Sequence, residues 1–411
     1  MRLHKQVYIY FLSYFINAGL SFLIVSLLTR YITEPADYGI INLYSSFLIF
    51  LMPFVSGGIS YPLSVEYFKR PRETYSSFFT DANAIPLVSV LALTILCILF
   101  QGPLSRLVRV PVAWIWILPV TAWLIMINDI ALMLIRNKNH PVQFAVLSIG
   151  KNLLEIAITL LLVVGLHWTW QGRLTSAALA PLFIGIIAIF FFYRWRLVTS
   201  KINWANTRRI FLLSFPFIFE RLAVFVLGYS DRYFIDKFDP EKTREVGLYG
   251  LGSQLATVIY LVTVSLNSAY QPHLFKKLSE GFKGGIHKTT VWFIAACAIT
   301  VACMYAFIPV IFHFFIGSNY QEAKPYAYIL CAGYFMWGIY NAFQAYLIYL
   351  EKNRQILWVS LLGMTTSLIL NAVMVINYGA DGAAIASVVT YSIMAIVCYL
   401  MVRKYFIVNR H

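Results

Sequence analysis

The chain has 411 residues, 60% of them hydrophobic, 17% aromatic and only 12% charged, with a formal net charge of +15. Soluble domains carry about 25% charged residues, so this composition excludes an ordinary soluble protein. The basic residues fall between apolar runs, which points to membrane orientation and anionic lipid surface rather than to nucleic acid.

The N-terminal MRLHKQ precedes an apolar run that continues to Leu28 without a small-residue cleavage site. It therefore reads as a retained first helix and not as a signal peptide. Apolar segments of about twenty residues, the length needed to cross a bilayer, then recur along the chain. They cover 7–29, 40–65, 78–100, 112–135, 142–166, 174–193, 211–230, 247–270, 289–312, 326–350, 356–376 and 383–402, which gives twelve expected spans. An even count places both termini on one side. Of the 32 Lys and Arg residues, twenty-one lie at the termini and in the even-numbered loops and nine in the odd loops; Lys151 and Arg221 fall inside spans. This bias predicts cytoplasmic termini. All loops are short, so they hold no soluble domain.

Charged residues inside the spans are the functional candidates, because each costs about 2.5–3.5 kcal/mol on insertion scales. Five lie at depth: Asp129 in the fourth span, Lys151 and Glu155 in the fifth, and Glu220 with Arg221 in the seventh. Lys151 and Glu155, four residues apart, share a helical face and are placed to pair with each other. Glu220 and Arg221 are neighbours in sequence and point about 100° apart, so they do not simply neutralise each other. Arg30 sits at the periplasmic end of the first span. Lys151 and Arg221 are the basic residues available at depth, with Arg30 at the mouth. Asp129, Glu155 and Glu220 are the acids suited to coupling or gating through a proton or Na⁺. Together the five sum to one net negative charge. An anionic substrate therefore requires that at least one acid be neutralised, by protonation or pairing.

The basic loop 194–210 cuts the chain almost in half, and the halves resemble each other. FLSYFINAGLSFLIVSLLTRYI (11–32) aligns on LSFPFIFERLAVFVLGYSDRYF (213–234), and DYGIINLYS (37–45) on EVGLYGLGS (245–253). YPLSVEYFK (61–69) meets YQPHLFKKL (270–278), and QGRLTSAALAPLFIGIIA (171–188) echoes DGAAIASVVTYSIMAIVC (381–398). Glu220 and Arg221 align with Ala18 and Gly19, so the scaffold does not itself require charge at that height. The expectation is an all-α polytopic membrane protein with an N-terminal lobe over 1–200 and a C-terminal lobe over 201–411. Each lobe has six helices, and a pseudo-two-fold axis runs along the membrane normal. Such repeats suit alternating access around a site near the midplane.

The stretches LLTRYITEPADYGIINLYSSF, SFPFIFERLAVFVLGYSDRYFIDKF…EVGLYGLGSQL and ILNAVMVINYGADGAAIASVVTYSI resemble polysaccharide exporters of the multidrug/oligosaccharidyl-lipid/polysaccharide (MOP) superfamily. Twelve spans in about 400 residues are similar to the Wzx-type O-antigen flippases within it. This resemblance implies movement of an undecaprenyl-diphosphate-linked oligosaccharide, an O-antigen or capsule repeat unit, from the cytoplasmic to the periplasmic leaflet of the bacterial inner membrane. It also implies H⁺ or Na⁺ coupling, or drive by substrate consumption, without ATP or another cofactor. Membrane lipids and the polysaccharide polymerase machinery are the implied partners, and nucleic acid is not one. On this reading Arg221, Lys151 and Arg30 bind the diphosphate. The alternative is a cation-coupled multidrug exporter of the MATE type.

Mid-span Tyr260, Trp337 and Tyr340, near Asn341 and Gln344, are a second set of candidates, for contact with sugar. Pro53, Pro86, Pro119, Pro181, Pro216 and Pro309 interrupt spans and mark bending points. Enzyme signals are missing. GGIHKTT (284–290) resembles a phosphate loop only faintly, lacking the Gly-Lys-Thr order and a preceding strand. No His pair has metal spacing. The five cysteines, Cys97, Cys297, Cys303, Cys331 and Cys398, all lie in apolar runs without a CxxC and read as packing residues.

Overall fold

A computed structural model describes residues 2–239, 241–280 and 288–407, without the side chains of 2–7, 11, 353, 406 and 407. Lys283, Arg410 and residues 284–287 of GGIHKTT lie outside the described residues. No strand occurs among those described. Ten helices among them are long and apolar enough to cross a membrane.

The chain forms two compact units, Met1–Ile32 with Ile40–Phe225, and Thr33–Gly39 with Val226–His411. The division expected after residue 200 falls within the first unit as the contacts draw it.

The first unit contains α1 (Arg2–Tyr31), most of α2 (Pro35–Ser56), α3 (Ser60–Lys69), α4 (Arg72–Leu99), α5 (Gln101–Val108), α6 (Ile117–Asn137), α7 (Pro141–Thr159), α8 (Trp170–Arg194) and α9 (Trp204–Gly228) as far as Phe225. The starts obey local rules. Pro71 precedes α4 with Glu73 in its first turn, and Pro141 opens α7. The second expected span, 40–65, is broken. Gly57 and Gly58 adopt φ values of 55° and 73°, and α3 begins just beyond them. A Cβ on Gly58 would stand 2.4 Å from the Ser214 carbonyl oxygen, so glycine there permits close approach to α9. Tyr61 packs on Phe217 at 4.7 Å between ring centroids, and Phe50 on Phe225 at 5.1 Å. These contacts fasten α9 to the first unit, together with the buried Asp81. Its carboxylate accepts hydrogen bonds from the Asn203 backbone N–H and the Asn206 side chain, at 2.8 and 2.6 Å. The apolar core includes Phe79, Ile130, Ala131, Leu134 and Phe192. The stretch expected as a loop between the third and fourth spans is instead a short amphipathic helix, α5, ended by Arg109 in the left-handed region.

The second unit contains α10 (Asp231–Phe238), α11 (Thr243–Ser279), α12 (Lys288–Phe314), α13 (Lys324–Tyr349) and α14 (Asn353–Ile407). α13 covers the tenth expected span but is not among the ten. It carries Asn341 and Gln344 and is extensively buried, so it needs less lipid-facing apolar surface. The eleventh and twelfth expected spans both fall in α14, which breaks at Gly379 (φ 57°, ψ −141°). Asp239 fixes that break: its carboxylate accepts the Ala380 backbone N–H at 2.9 Å. The core gathers Tyr270, Leu274, Cys297, Ala342, Tyr346 and Cys398. Four of the five cysteines are buried, Cys303 is exposed, and all are free.

Residues 33–39 join the second unit through tight backbone contact. A Cβ on Gly39 would meet the Thr243 carbonyl oxygen at 1.8 Å, and one on Gly247 would meet the Pro35 carbonyl oxygen at 2.0 Å. Tyr38 donates to Gln254 at 2.6 Å, and Asn319 donates to the Thr33 carbonyl at 2.9 Å.

Candidate functional site

All six charged candidates fall in the first unit. α6 carries Asp129, α7 carries Lys151 and Glu155, α9 carries Glu220 and Arg221, and Arg30 lies in the last turn of α1. Asp129 is exposed on α6. Lys151 and Arg221 are the two cations that act on it electrostatically. Three helices thus bring one acid and two bases into a shared field. Among the described residues Asp129, Lys151, Glu220 and Arg221 make no ion pair within 4 Å. Glu220 and Arg221 are both exposed on α9.

The expected partnership of Lys151 with Glu155 does not form. Glu155 pairs with Arg173, in the first turn of α8, at 2.5 Å between Oε1 and Nη1. The reason is reach: a guanidinium on the neighbouring helix meets the carboxylate directly, whereas base-before-acid is the weaker order along one helix. The pair belongs to a polar knot. Thr159 donates to Ser176 at 2.8 Å, and Ser176 donates to the Arg173 carbonyl at 2.8 Å. Just beyond it, Leu160–Gly165 form one π-helical turn, a distortion common near functional positions. Lys151 stays free of Glu155, and beside it Asn152 donates to Asn17 of α1 at 2.9 Å. Arg173 escaped the sequence reading because it stands where an apolar run begins, among residues counted as loop.

A second charged cluster, also missed, lies in the second unit. Asp231 and Arg232 open α10 and are both buried. Arg232 donates to Asp231 at 3.0 Å, to the Gly228 carbonyl at 2.9 Å and to Ser253 at 3.2 Å. It also lies 5.0 Å from the Tyr229 ring centroid, and Tyr249 donates its hydroxyl to Asp231. A cavity with room for about one water adjoins the cluster, bordered by Tyr334, Ser387 and Tyr391. The donors and acceptors are mutually satisfied, which makes this a fastening of α9, α10 and α11 rather than an open charge. The Asp-Arg dipeptide was the available signal.

The mid-span aromatic set divides. Tyr260 and Trp337 pack at 4.7 Å, with Tyr260 partly exposed. Tyr340 is buried and accepts from Gln344 at 2.8 Å, while Asn341 donates to the Trp337 carbonyl at 2.7 Å. Pro53, Pro86, Pro181, Pro216 and Pro309 lie inside helices, and Pro119 lies in the first turn of α6. No group of three metal-ligating side chains occurs among the described residues.

The family described as "Polysaccharide biosynthesis protein" matches residues 3–277, and the MatE family matches 216–373. Two Haemophilus influenzae proteins are similar in sequence. An "Uncharacterized membrane protein" is 22% identical over 232 residues, 55% of this chain and 56% of that one. "Lsg locus putative protein 1" is 23% identical over 197 residues, 46% and 49% of the two chains. The alignments span about half the length of these relatives. Among solved structures, an inward closed lipid II flippase MurJ superposes with a TM-score of 0.76 at 17% identity, covering 96% of this chain and 87% of that one. An inward-facing MATE-family multidrug transporter of the MOP superfamily superposes at 0.71 and 13% identity, covering 96% and 94%. At these identities the likeness is one of fold. With two thirds of its length matched, the chain belongs to the polysaccharide biosynthesis protein family, and its all-helical fold is that of the MurJ and MATE structures.

Proposed function

We propose that the protein moves an undecaprenyl-diphosphate-linked oligosaccharide between membrane leaflets, with Arg221 and Lys151 receiving the diphosphate and Arg30 at the entrance or exit. One observation carries this reading: Lys151 and Arg221, two cations without ion-pair partners among the described residues, both act electrostatically on Asp129, and all three lie in segments long and apolar enough to cross a membrane. A diphosphate crossing about 30 Å of low-dielectric space needs fixed cations in place of its hydration. Arg binds phosphate bidentately and Lys as a point charge. Glu155 is already neutralised by Arg173, which removes one negative charge from the balance. Lys151 and Arg221 then offset Asp129 and Glu220 in the charge count, and protonation of either acid leaves the four groups net positive. Those two acids are the coupling candidates on this reading, and the termini face the cytoplasm of the inner membrane.

The test is complementation. Cells lacking their repeat-unit flippase accumulate lipid-linked units, and wild-type protein should restore export. Arg221→Ala should fail while reaching the membrane at normal levels. Full rescue by Arg221→Ala would refute the site. A cation-coupled exporter is the second reading, favoured by the exposed acids Asp129 and Glu220. It predicts drug efflux that depends on Asp129 and no change in lipid-linked units.

A further inference from the structure

At the end of the first unit where α3 meets α4 and α6 meets α7, a cavity of about 400 Å³ is lined by Arg70, Arg72, Lys138 and His140 with Tyr67, Tyr75, Trp195 and Leu197. It lies away from Asp129, Lys151 and Arg221, none of which lines it. The charges there are poorly balanced. Arg70 is held by Glu66. Arg72 donates to the Trp195 carbonyl at 3.3 Å, and the Lys138 ammonium stands 3.6 Å from the centre of the Trp195 ring. Among the described residues no carboxylate lies within ion-pair distance of Arg72, Lys138 or His140, and Glu73, next to Arg72, does not line the cavity.

Two helices also begin here. Arg72 is the first residue of α4, and His140 stands at the N-cap of α7; neither start has a side-chain cap. The unpaired N–H groups and positive dipole ends of both helices add to the basic side chains. A cation at a helix start has the unfavourable sign, and an anion would relieve it. Burial, and then the like charge of Arg72, hold Lys138 down to about 8. The same strain is felt from the lysine's side.

We propose that this pocket binds a phosphate-bearing anion, held between Arg72, Lys138 and the two helix starts, with any apolar remainder lying against Tyr67 and Trp195. The chemistry selects phosphate over a small carboxylate. The donors come from separate elements around a volume with room for a phosphate and an attached remainder, and arginine and lysine supply forked and point-like contacts together. The same donors would accept a lipid headgroup or a free phosphate. This proposal stands independently of the transported substrate.

The test uses full-length protein in a nonionic detergent. Dihexanoyl phosphatidic acid is titrated calorimetrically, with dihexanoyl phosphatidylcholine and inorganic phosphate as separate arms. The expected result is saturable binding of phosphatidic acid that Arg72→Gln/Lys138→Gln weakens by about tenfold or more, as loss of charge-assisted hydrogen bonds would. The exposed pair Arg208→Gln/Arg209→Gln should leave binding unchanged. Competition by inorganic phosphate assigns a free-phosphate site, and its absence assigns a lipid headgroup. Equal binding of phosphatidylcholine, or equal loss in the Arg208/Arg209 variant, overturns the proposal, because either result means no selective site. Should the double variant not fold, the wild-type protein carries the test by lysine-methyl NMR. Saturating phosphatidic acid must raise the Lys138 titration midpoint, assigned with Lys138→Arg, and an unmoved midpoint overturns the proposal.

Discussion

Gly39 and Gly247, which occupy equivalent positions in DYGIINLYS and EVGLYGLGS, pack directly against each other. A Cβ on Gly247 would lie 3.0 Å from the Gly39 backbone nitrogen and 2.0 Å from the Pro35 carbonyl oxygen. Any side chain at either position must displace backbone. Gly39→Val and Gly247→Val should each destabilise the protein by about 1–3 kcal/mol or more, the range of overpacking. Lowered thermal unfolding midpoints in detergent would register it. Midpoints equal to wild type would mean that the contact is looser than described.

Glu155 and Arg173 should behave as a unit. Each side chain is mostly buried, so removing one partner leaves an uncompensated charge in apolar surroundings. Glu155→Gln and Arg173→Gln are each expected to cost on the order of 1–3 kcal/mol, discounted from fully buried pairs for partial exposure. The double variant should cost less than the sum. A double-mutant cycle on unfolding measures the coupling, and strict additivity would deny the pairing.

Arg221 and Lys151 should differ in what replaces them. Arg221→Lys keeps charge but loses the planar fork, so transport should fall roughly tenfold; Arg221→Ala should abolish it. Lys151→Arg should retain most activity. Accumulated lipid-linked oligosaccharide, normalised to membrane protein level, provides the readout.

The break in α14 depends on Gly379 and Asp239. Gly379 has φ 57°, and a Cβ there would stand 2.2 Å from the Asp239 carboxylate. Gly379→Ala should therefore destabilise by about 1–2 kcal/mol from the left-handed backbone alone, with the clash added. Asp239→Ala should destabilise too, by freeing the Ala380 N–H. If Gly379→Ala unfolds at the wild-type temperature, the chain takes another conformation there.

Lys138 links stability to pH. Burial, followed by repulsion from Arg72, lowers its folded value to about 8 from 10.5. Between those values the unfolded state binds more protons than the folded state, so stability rises with pH across that window. Below about 8 the lysine is charged in both states and the contribution is constant. Lys138→Gln should flatten the rise, and Arg72→Gln should shift its onset upward. Unfolding midpoints from pH 7 to about 10.5 would show both effects.

Hydropathy and spacing by themselves determined the class of this protein. An all-helical membrane chain follows from apolar runs long enough to span lipid, because in hydrocarbon a backbone must satisfy its own hydrogen bonds. The internal charges were also legible, because their cost marks them in any apolar run. Hydropathy separated the eleventh span from the twelfth around Gly379 but ran 40–65 together, so the break at Gly57–Gly58 emerged only with backbone conformation. Tertiary structure decided the partners. Glu155 met Arg173 on another helix instead of Lys151 on its own, and Arg232, counted among loop residues, was enclosed by Asp231, Ser253 and tyrosines. Sequence periodicity fixes which residues share a helical face, but not which faces of different helices meet. That depends on packing across the whole unit.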